Sequence, residues 1–417
     1  MTEFFHPHLA NVLGIITLAI WLHLFFGRGW FWLLGKWDAD RKDVNSPGAW
    51  PSVVAVVPAR NEEESISQTV ASLAHQDYSG HFQIVIVDDH SEDATAANAT
   101  RAARDNSAED RVKIVSASQL PAGWTGKLWA LNEGLKNIGF ASAKTPREGD
   151  AGGNSNEVGA QDGIAEAPSY FWFTDADVTH GPDTLRRLVA RVERERLDLA
   201  SLMVLLQAET LPERALIPAF LYFFLMLYPP KWIGDEELST AGAAGGCILL
   251  KREALEKIGG FAAIRGEVID DCALAKAVKN NSGRVWMGLT RKSASLRAYK
   301  TFGEIRDLIS RTAFTQLRYS TVILIGTLAG MFLTYVAPVL LVLAHDPIAR
   351  LLGFIAWFLM ALSFLPTARF YRVSPVWAPL LPLMALFYSW ATWLSAWRYW
   401  TGKGGLWKGR AQAPGNK

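Results

Sequence analysis

Residues Tyr170–His180 read YFWFTDADVTH. The run is aromatic enough for a buried strand, and it stops at two aspartates separated by one alanine. Like charges held this close cost stability unless a cation or a proton offsets them. If the aromatic run is a strand, Asp175 and Asp177 stand at its carboxyl end, which is where open α/β sheets bind ligands. The tripeptide D-A-D occurs twice in the chain, and chance alone supplies about one D-x-D in a chain of this length. The other copy, Asp38-Ala39-Asp40, has no strand before it and precedes Arg41 and Lys42. It reads as a solvated turn.

Working outward from Tyr170, the same pattern repeats. Ser52–Val57 is a β-branched run closed by Pro51 and Pro58, Phe82–Val87 ends at Asp88-Asp89, and Val112–Val115 is a third apolar run. Helical spacing is expected over Ser65–Leu73, from about His90 to Asn98 with Ser91 or Asp93 as N-cap, over Leu128–Ile138 and over Asp183–Arg196. Strand alternating with helix implies an α/β domain with a mainly parallel sheet covered on both faces. Residues 141–169, rich in Gly, Asn, Glu and Asp and without period, are expected to be a flexible insertion.

The chain of 417 residues carries a net charge of +2 and 17 tryptophans. Near-neutral charge gives no footprint for nucleic acid. Cys247 and Cys272 lack metal-ligand spacing and read as buried thiols. Apolar runs cover Leu9–Phe26, Ser320–Ala344, Leu351–Ala368 and Val373–Trp397, each about long enough to cross a bilayer. Tryptophan and tyrosine crowd the ends of the first and last runs, as at a headgroup boundary. Arg28, Lys36, Arg41 and Lys42 follow the first run, whereas Met1–His8 holds no lysine or arginine. The positive-inside rule therefore puts the polar region in the cytoplasm of a multi-pass inner-membrane protein. Three further spans would place the tail outside, yet Lys403, Lys408 and Arg410 favour the inside. A re-entrant segment around Pro338 to Pro366 would reconcile the two.

The polar residues gather at strand ends. Arg60, Asn61 and Glu62 follow the first strand; Asp88, Asp89, Ser91 and Asp93 follow the second; Asp175 and Asp177 follow the fourth. One or two carboxylates completed by substrate phosphates is the usual way to hold Mg²⁺ or Mn²⁺. The structural alternative is a strand-end turn whose aspartates cap the next helix. Neither a P-loop nor a G-x-G-x-x-G following a strand is present.

Six segments in order carry a family resemblance: P-A-R-N-E (Pro58–Glu62), D-D-H-S-E-D-A-T (Asp88–Thr95), G-W-T-G-K (Gly123–Lys127), D-A-D (Asp175–Asp177), G-G-C (Gly245–Cys247) and I-D-D (Ile269–Asp271). Together they resemble family 2 glycosyltransferases of the GT-A fold. The flanking apolar runs and Arg311–Ser320 (RTAFTQLRYS) further resemble the hopanoid-biosynthesis-associated members, relatives of membrane ceramide glucosyltransferases.

The resemblance implies roles. Pro58, Arg60, Asn61, Glu62, Asp88, Asp89, Ser91 and Asp93 would hold the nucleotide of a nucleotide-sugar donor. Gly126 and Lys127 would meet its diphosphate, with Asp175 on the donor. Asp175 and Asp177 would hold Mg²⁺ or Mn²⁺. Asp271 would be the catalytic base, with Asp270 standing where the family has glutamate. Arg311, Gln316, Arg318 and Tyr319 would complete donor binding, although Gln316-Leu317-Arg318-Tyr319 departs from the Q-x-x-R-W of polymerising synthases.

The implied architecture is an α/β, doubly wound GT-A domain over residues 37–319, following an N-terminal transmembrane anchor (1–36). A C-terminal transmembrane block (320–400) and a basic tail (401–417) come after it. Residues 211–230, apolar but rich in proline, would lie at the membrane interface. The implied activity is inverting transfer from a nucleotide sugar, UDP-linked by resemblance, to a lipid acceptor. A processive polysaccharide synthase and a non-catalytic membrane scaffold are the rival readings.

Overall fold

The computed structural model describes residues 7–41, 47–140, 167–402, 406–407 and 410–411. The expected insertion falls outside these residues except for 167–169, as does most of the basic tail. In chain order the elements are α1 (Pro7–Leu22), β1 (Val53–Ala59), α2 (Ile66–Ala74), β2 (Phe82–Asp88), α3 (Thr95–Asp105), β3 (Val112–Ser116), α4 (Gly126–Asn137), β4 (Tyr170–Phe173), β5 (Val178–His180), α5 (Thr184–Glu195) and β6 (Leu199–Leu205). There follow α6 (Leu211–Leu227), α7 (Pro230–Ile233), β7 (Ile248–Lys251), α8 (Arg252–Ile258), α9 (Asp270–Asn280), β8 (Val285–Ser295), α10 (Phe302–Gln316), α11 (Thr321–Met331), α12 (Ala337–Val342), α13 (Pro347–Phe370) and α14 (Leu381–Trp400).

The chain divides into two compact units. One comprises Lys42–Met203 and Ala243–Trp286. Its sheet includes, in order, β3-β2-β1-β4-β7-β6. Strands β1, β2, β3 and β4 are parallel, with Val53 opposite Phe82 and Tyr170. Every residue of β1 is buried, which explains why that strand is continuously apolar. Helix α4 lies close on the sheet because Gly134 has no side chain: a Cβ there would stand 2.6 Å from Val56 Cγ1 and 2.8 Å from Val87 Cγ2.

The sheet is mixed rather than mainly parallel, because β7 runs antiparallel to both β4 and β6. This reversal positions the site. Ile248 opens β7 opposite Phe173, which closes β4. The residues just before β7 therefore meet the residues just after β4. Helix α3 begins at Thr95, later than the expected His90, because residues 91–94 are tied to the loop after β1.

The other unit comprises Met1–Arg41, Val204–Gly242 and Met287–Lys417. Among the described residues, four helical stretches are long and apolar enough to cross a membrane: His8–Gly27, Leu211–Ile233, Thr321–Val342 and Pro347–Phe370. Helix α1 approaches α13 at Gly14, where a Cβ would lie 3.0 Å from Leu352. Helix α13 approaches α12 at Gly353, where a Cβ would lie 2.6 Å from Leu341 Cβ. The indole of Trp21 donates to Thr334 O at 2.7 Å. Of the expected fourth span, residues 373–380 are not in the long helix, and α14, among the described residues, is less apolar than the four stretches named above.

Asp38-Ala39-Asp40 is not a solvated turn. Asp38 bridges Leu289 on β8. The Asp40 carboxylate accepts from Thr290 Oγ1 and from the Arg291 N–H, each at 2.8 Å. This copy of the tripeptide clamps the segment after α1 to a strand. Cys247 and Cys272 are buried free thiols, as expected.

Candidate active site

The loops after β1 and β2 interlock. Arg60 is buried and its guanidinium donates to the carbonyls of Asp89 and His90. Asn61, at a left-handed φ of 50°, takes its N–H to Ser91 Oγ and accepts from the Glu92 N–H at 2.9 Å. Short polar side chains tolerate that conformation best. The Glu62 N–H reaches Thr95 Oγ1 at 2.7 Å, and Asp93 accepts from the N–H groups of Glu63 and Thr95. Arg60, Asn61, Ser91 and Asp93 thus build the loop framework.

Asp89, of the expected nucleotide set, is fully buried, with its N–H on Ala59 O. Asp88 remains half-buried at the end of β2, with Oδ1 accepting from the Ser91 N–H.

A charged cluster lies at the carboxyl end of β4. Gly126 opens α4, and Lys127, the next residue, projects its ammonium 2.7 Å from Asp175 Oδ1 and 3.5 Å from Asp270 Oδ2. Asp270 and Asp271 begin α9, where the helix dipole favours negative charge. Asp271 Oδ2 accepts from the Gly245 N–H at 2.9 Å and Oδ1 from the Cys272 N–H at 2.7 Å. Pro58, Lys127, Thr174, Gly245, Asp270 and Asp271 line one cleft. Asp177 follows at the β4–β5 turn, half-buried.

The electrostatics follow from burial and from the charge count. Burial pushes the Asp271 carboxyl up and the neighbouring Asp270 adds to this; Lys127 and the two backbone bonds offset part of it, leaving the group raised to about 6. Burial works against the Lys127 ammonium, but Asp175, Asp270 and Asp271 outweigh it and raise its pKa. Lys127 therefore stays charged. Three carboxylates against one ammonium leave an excess of negative charge at the strand edge. Hard oxygen donors with surplus charge suit a divalent cation shared with phosphate oxygens. Among the described residues no group of three or more His, Cys, Asp or Glu would hold a metal unaided. A site built on Asp175 and Asp177 therefore needs ligand oxygens to complete it.

Two neighbours were given no role by the sequence, although Gly245 lies in the G-G-C segment. Thr174 Oγ1 lies 2.7 Å from His180 Nε2 and donates to Gly246 O at 2.9 Å, tying β4 to the turn before β7. Burial pushes the His180 imidazole down to about 3, so it stays neutral beneath Asp175. Gly245 is the other: a Cβ there would meet Lys127 Nζ at 3.0 Å and Asp271 Oδ2 at 3.4 Å.

Arg311, Gln316, Arg318 and Tyr319 belong to the other unit. There the Gln316 amide donates to Tyr228 Oη, and Tyr319 stacks on Tyr399 with centroids 4.5 Å apart. Arg318 and Tyr319 turn the chain from α10 into α11 with φ of 53° and 56°.

A family model described as "Glycosyltransferase like family 2" matches residues 51–311. Among solved structures, a mannosyltransferase from Pyrobaculum calidifontis in complex with GDP-Man and Mn²⁺ is 17% identical with a TM-score of 0.52, covering 93% of this chain and 99% of that one. At that identity the likeness is one of fold. A glucosyl-3-phosphoglycerate synthase from Mycobacterium tuberculosis, in complex with Mn²⁺ and UDP-Glc, is 17% identical with a TM-score of 0.36, covering 64% of this chain and 78% of that one. No curated protein matches the chain.

Proposed function

Because this chain belongs to glycosyltransferase-like family 2 and has a GT-A fold, we propose that it transfers a sugar, with inversion, from a nucleotide sugar to a lipid acceptor. The observation that carries this reading is the cluster of Lys127, Asp175, Asp270 and Asp271 at the carboxyl end of β4. Lys127 supplies a point charge for the donor diphosphate. Asp271 takes the proton of the acceptor hydroxyl as its oxygen bonds to the anomeric carbon. The bond from that carbon to the diphosphate breaks, and its electron pair leaves with the nucleoside diphosphate. The two backbone bonds to Asp271 hold the carboxylate in one orientation throughout.

Asp175 and Asp177 are the residues that would hold Mg²⁺ or Mn²⁺, which when bound offsets charge on the leaving diphosphate. Asp88 is the side chain we assign to the nucleoside. The membrane reading rests on the four long apolar helical stretches, and it supports an acceptor that arrives in the bilayer. Basic residues after α1 support a cytoplasm-facing polar domain in the inner membrane, with α6 at the interface. Resemblance to hopanoid-associated members suggests hopanoid-related metabolism and a UDP-linked donor.

The test is nucleotide release in nanodiscs from a panel of UDP- and GDP-sugars, with Mn²⁺, Mg²⁺ or EDTA, and with or without bacterial lipid extract. Release that requires one donor, a metal and the lipid is the expected outcome. Release with no dependence on lipid would overturn the lipid acceptor.

A further inference from the structure

We infer that α14 does not cross the membrane: it descends from within the bilayer to the leaflet at which α13 ends, and its last tryptophans reach the headgroup zone of that leaflet. This rests on the reading of α1, α11–α12 and α13 as spans.

Depth along α13 supplies the ruler. Phe370 closes that helix, with the Arg291 guanidinium 4.8 Å from its ring centroid and Arg369 and Arg372 beside it. Trp357 lies roughly 20 Å up the helix from Phe370 at 1.5 Å per residue. Its indole donates to Pro379 O at 3.0 Å, so the chain after Phe370 climbs to the level of Trp357 before α14 begins. From there α14 descends. The Tyr388 hydroxyl donates to Leu216 O on α6 at 2.9 Å, and its ring lies 4.8 Å from Phe223. The adjoining Tyr222 meets Ser363 and Phe364, which are nearer the Phe370 end than Trp357 is.

Beyond Tyr388 the helix runs beside α10, which carries Glu304, Arg306, Asp307 and Arg311. Arg398 donates to Ser310 Oγ at 2.8 Å and to Asp307 at 2.7 Å. Ala396 packs with Phe314 and with Leu324 at the start of α11. The end of a helix flanked by so charged a neighbour is out of the hydrocarbon core. The opposite end of the bundle is closed by Ala10, Leu341 and Ala349 with Leu13 and Ala344, and α14 contributes nothing to that cluster.

The exposed face of α14 presents Leu383, Leu386, Trp390, Trp393, Trp397 and Trp400, spaced alternately three and four apart. One helical face is thus mostly indole, and indoles concentrate at the headgroup level rather than in the core. The expected re-entrant segment is therefore α14 and its approach, not the stretch from Pro338 to Pro366, which lies within α12 and α13. With three crossings, the end of α14 at Trp400 falls on the same side as Arg28, Arg369 and Arg372, the side that positive charge favours.

The test uses the full chain in sealed vesicles, with cysteine introduced singly by His345→Cys, Ser374→Cys and Thr401→Cys, and a membrane-impermeant maleimide. Cys247 and Cys272 are buried and give little background. The expected result is that positions 374 and 401 label from one side and position 345 from the other. Position 401 labelling together with position 345 would overturn the inference. All three labelling from one side would instead defeat the spanning reading beneath it. Nitroxides replacing Trp390 and Trp400 should place position 400 at headgroup depth and position 390 deeper, by up to about 15 Å, the length of that stretch along a helix. Position 400 lying deeper than position 390 would overturn the descent, as would immobilised labels with no lipid contact, the result a second copy on this face would give.

Discussion

The ammonium of Lys127 stands 2.7 Å from Oδ1 of Asp175, closing the turn after β4 onto the first turn of α4. It is the positive partner of a cluster that also includes Asp270 and Asp271. Lys127→Met would leave three carboxylates facing one another in a partly buried cleft. Removing one partner of a buried charge pair costs about 3 kcal/mol. The melting temperature should fall at pH 7.5, and added Mn²⁺ should recover part of the loss. A variant as stable as the native chain without metal would show that the pair contributes little.

Asp271 gives the pH dependence. Its folded-state carboxyl is raised to about 6 from 3.8. Below pH 3.8 the group is protonated in both states and contributes nothing. Between that point and pH 6 the unfolded chain releases a proton that the folded chain retains, so stability falls as pH rises. Above pH 6 the full cost persists, on the order of 3 kcal/mol. Asp271→Asn should therefore melt higher at pH 7.5 and like the native chain at pH 3.5. The same substitution should keep donor binding and lose transfer. In the native enzyme kcat/KM should decline about tenfold per pH unit below pH 6, since only the ionised carboxylate can take the proton. A flat profile from pH 5 to 8 would remove Asp271 as the base.

Gly245 tests the contact from the opposite strand. A Cβ would press on Lys127 Nζ at 3.0 Å and on Asp271 Oδ2 at 3.4 Å. The lysine tip can move, so Gly245→Ala should cost less than about 1 kcal/mol of stability. Displacing that tip should raise the donor KM about tenfold with kcat nearly unchanged. A fall in kcat at constant KM would point to the carboxylate rather than the lysine.

Much of the catalytic unit was legible because its strands are buried on both faces and end in polar punctuation. β1, β2 and β4 fall within two residues of their expected bounds, and Lys127 pairs with both Asp175 after β4 and Asp270 at the start of α9. What the sequence hid was pairing direction. Nothing in ILLK says that Ile248 runs opposite Phe173, yet that antiparallel register brings the turn before β7 to Thr174 at the end of β4. Burial was also hidden within Asp88-Asp89: two adjacent aspartates read alike, but the pleat turns one inward. In the other unit, composition marked α14 as apolar, while its partners Asp307 and Leu216 depend on tertiary contacts no periodicity records.

The two D-A-D tripeptides make a paired experiment. Asp40 accepts from Thr290 Oγ1 and the Arg291 N–H, so Asp40→Ala leaves a hydroxyl and a strand N–H without that partner. The expected cost is about 1–3 kcal/mol, with Mn²⁺ affinity unchanged. Asp177 is half-buried at the β4–β5 turn, and Asp177→Ala should change stability by less than about 1 kcal/mol. Its effect should fall on metal-dependent donor binding, read as loss of the Mn²⁺-induced increase in nucleotide-sugar affinity by calorimetry. The opposite pairing, with donor binding lost in Asp40→Ala and kept in Asp177→Ala, would transfer the metal role to the wrong tripeptide and end the present assignment. Unchanged donor binding in both would leave the cation to other ligands.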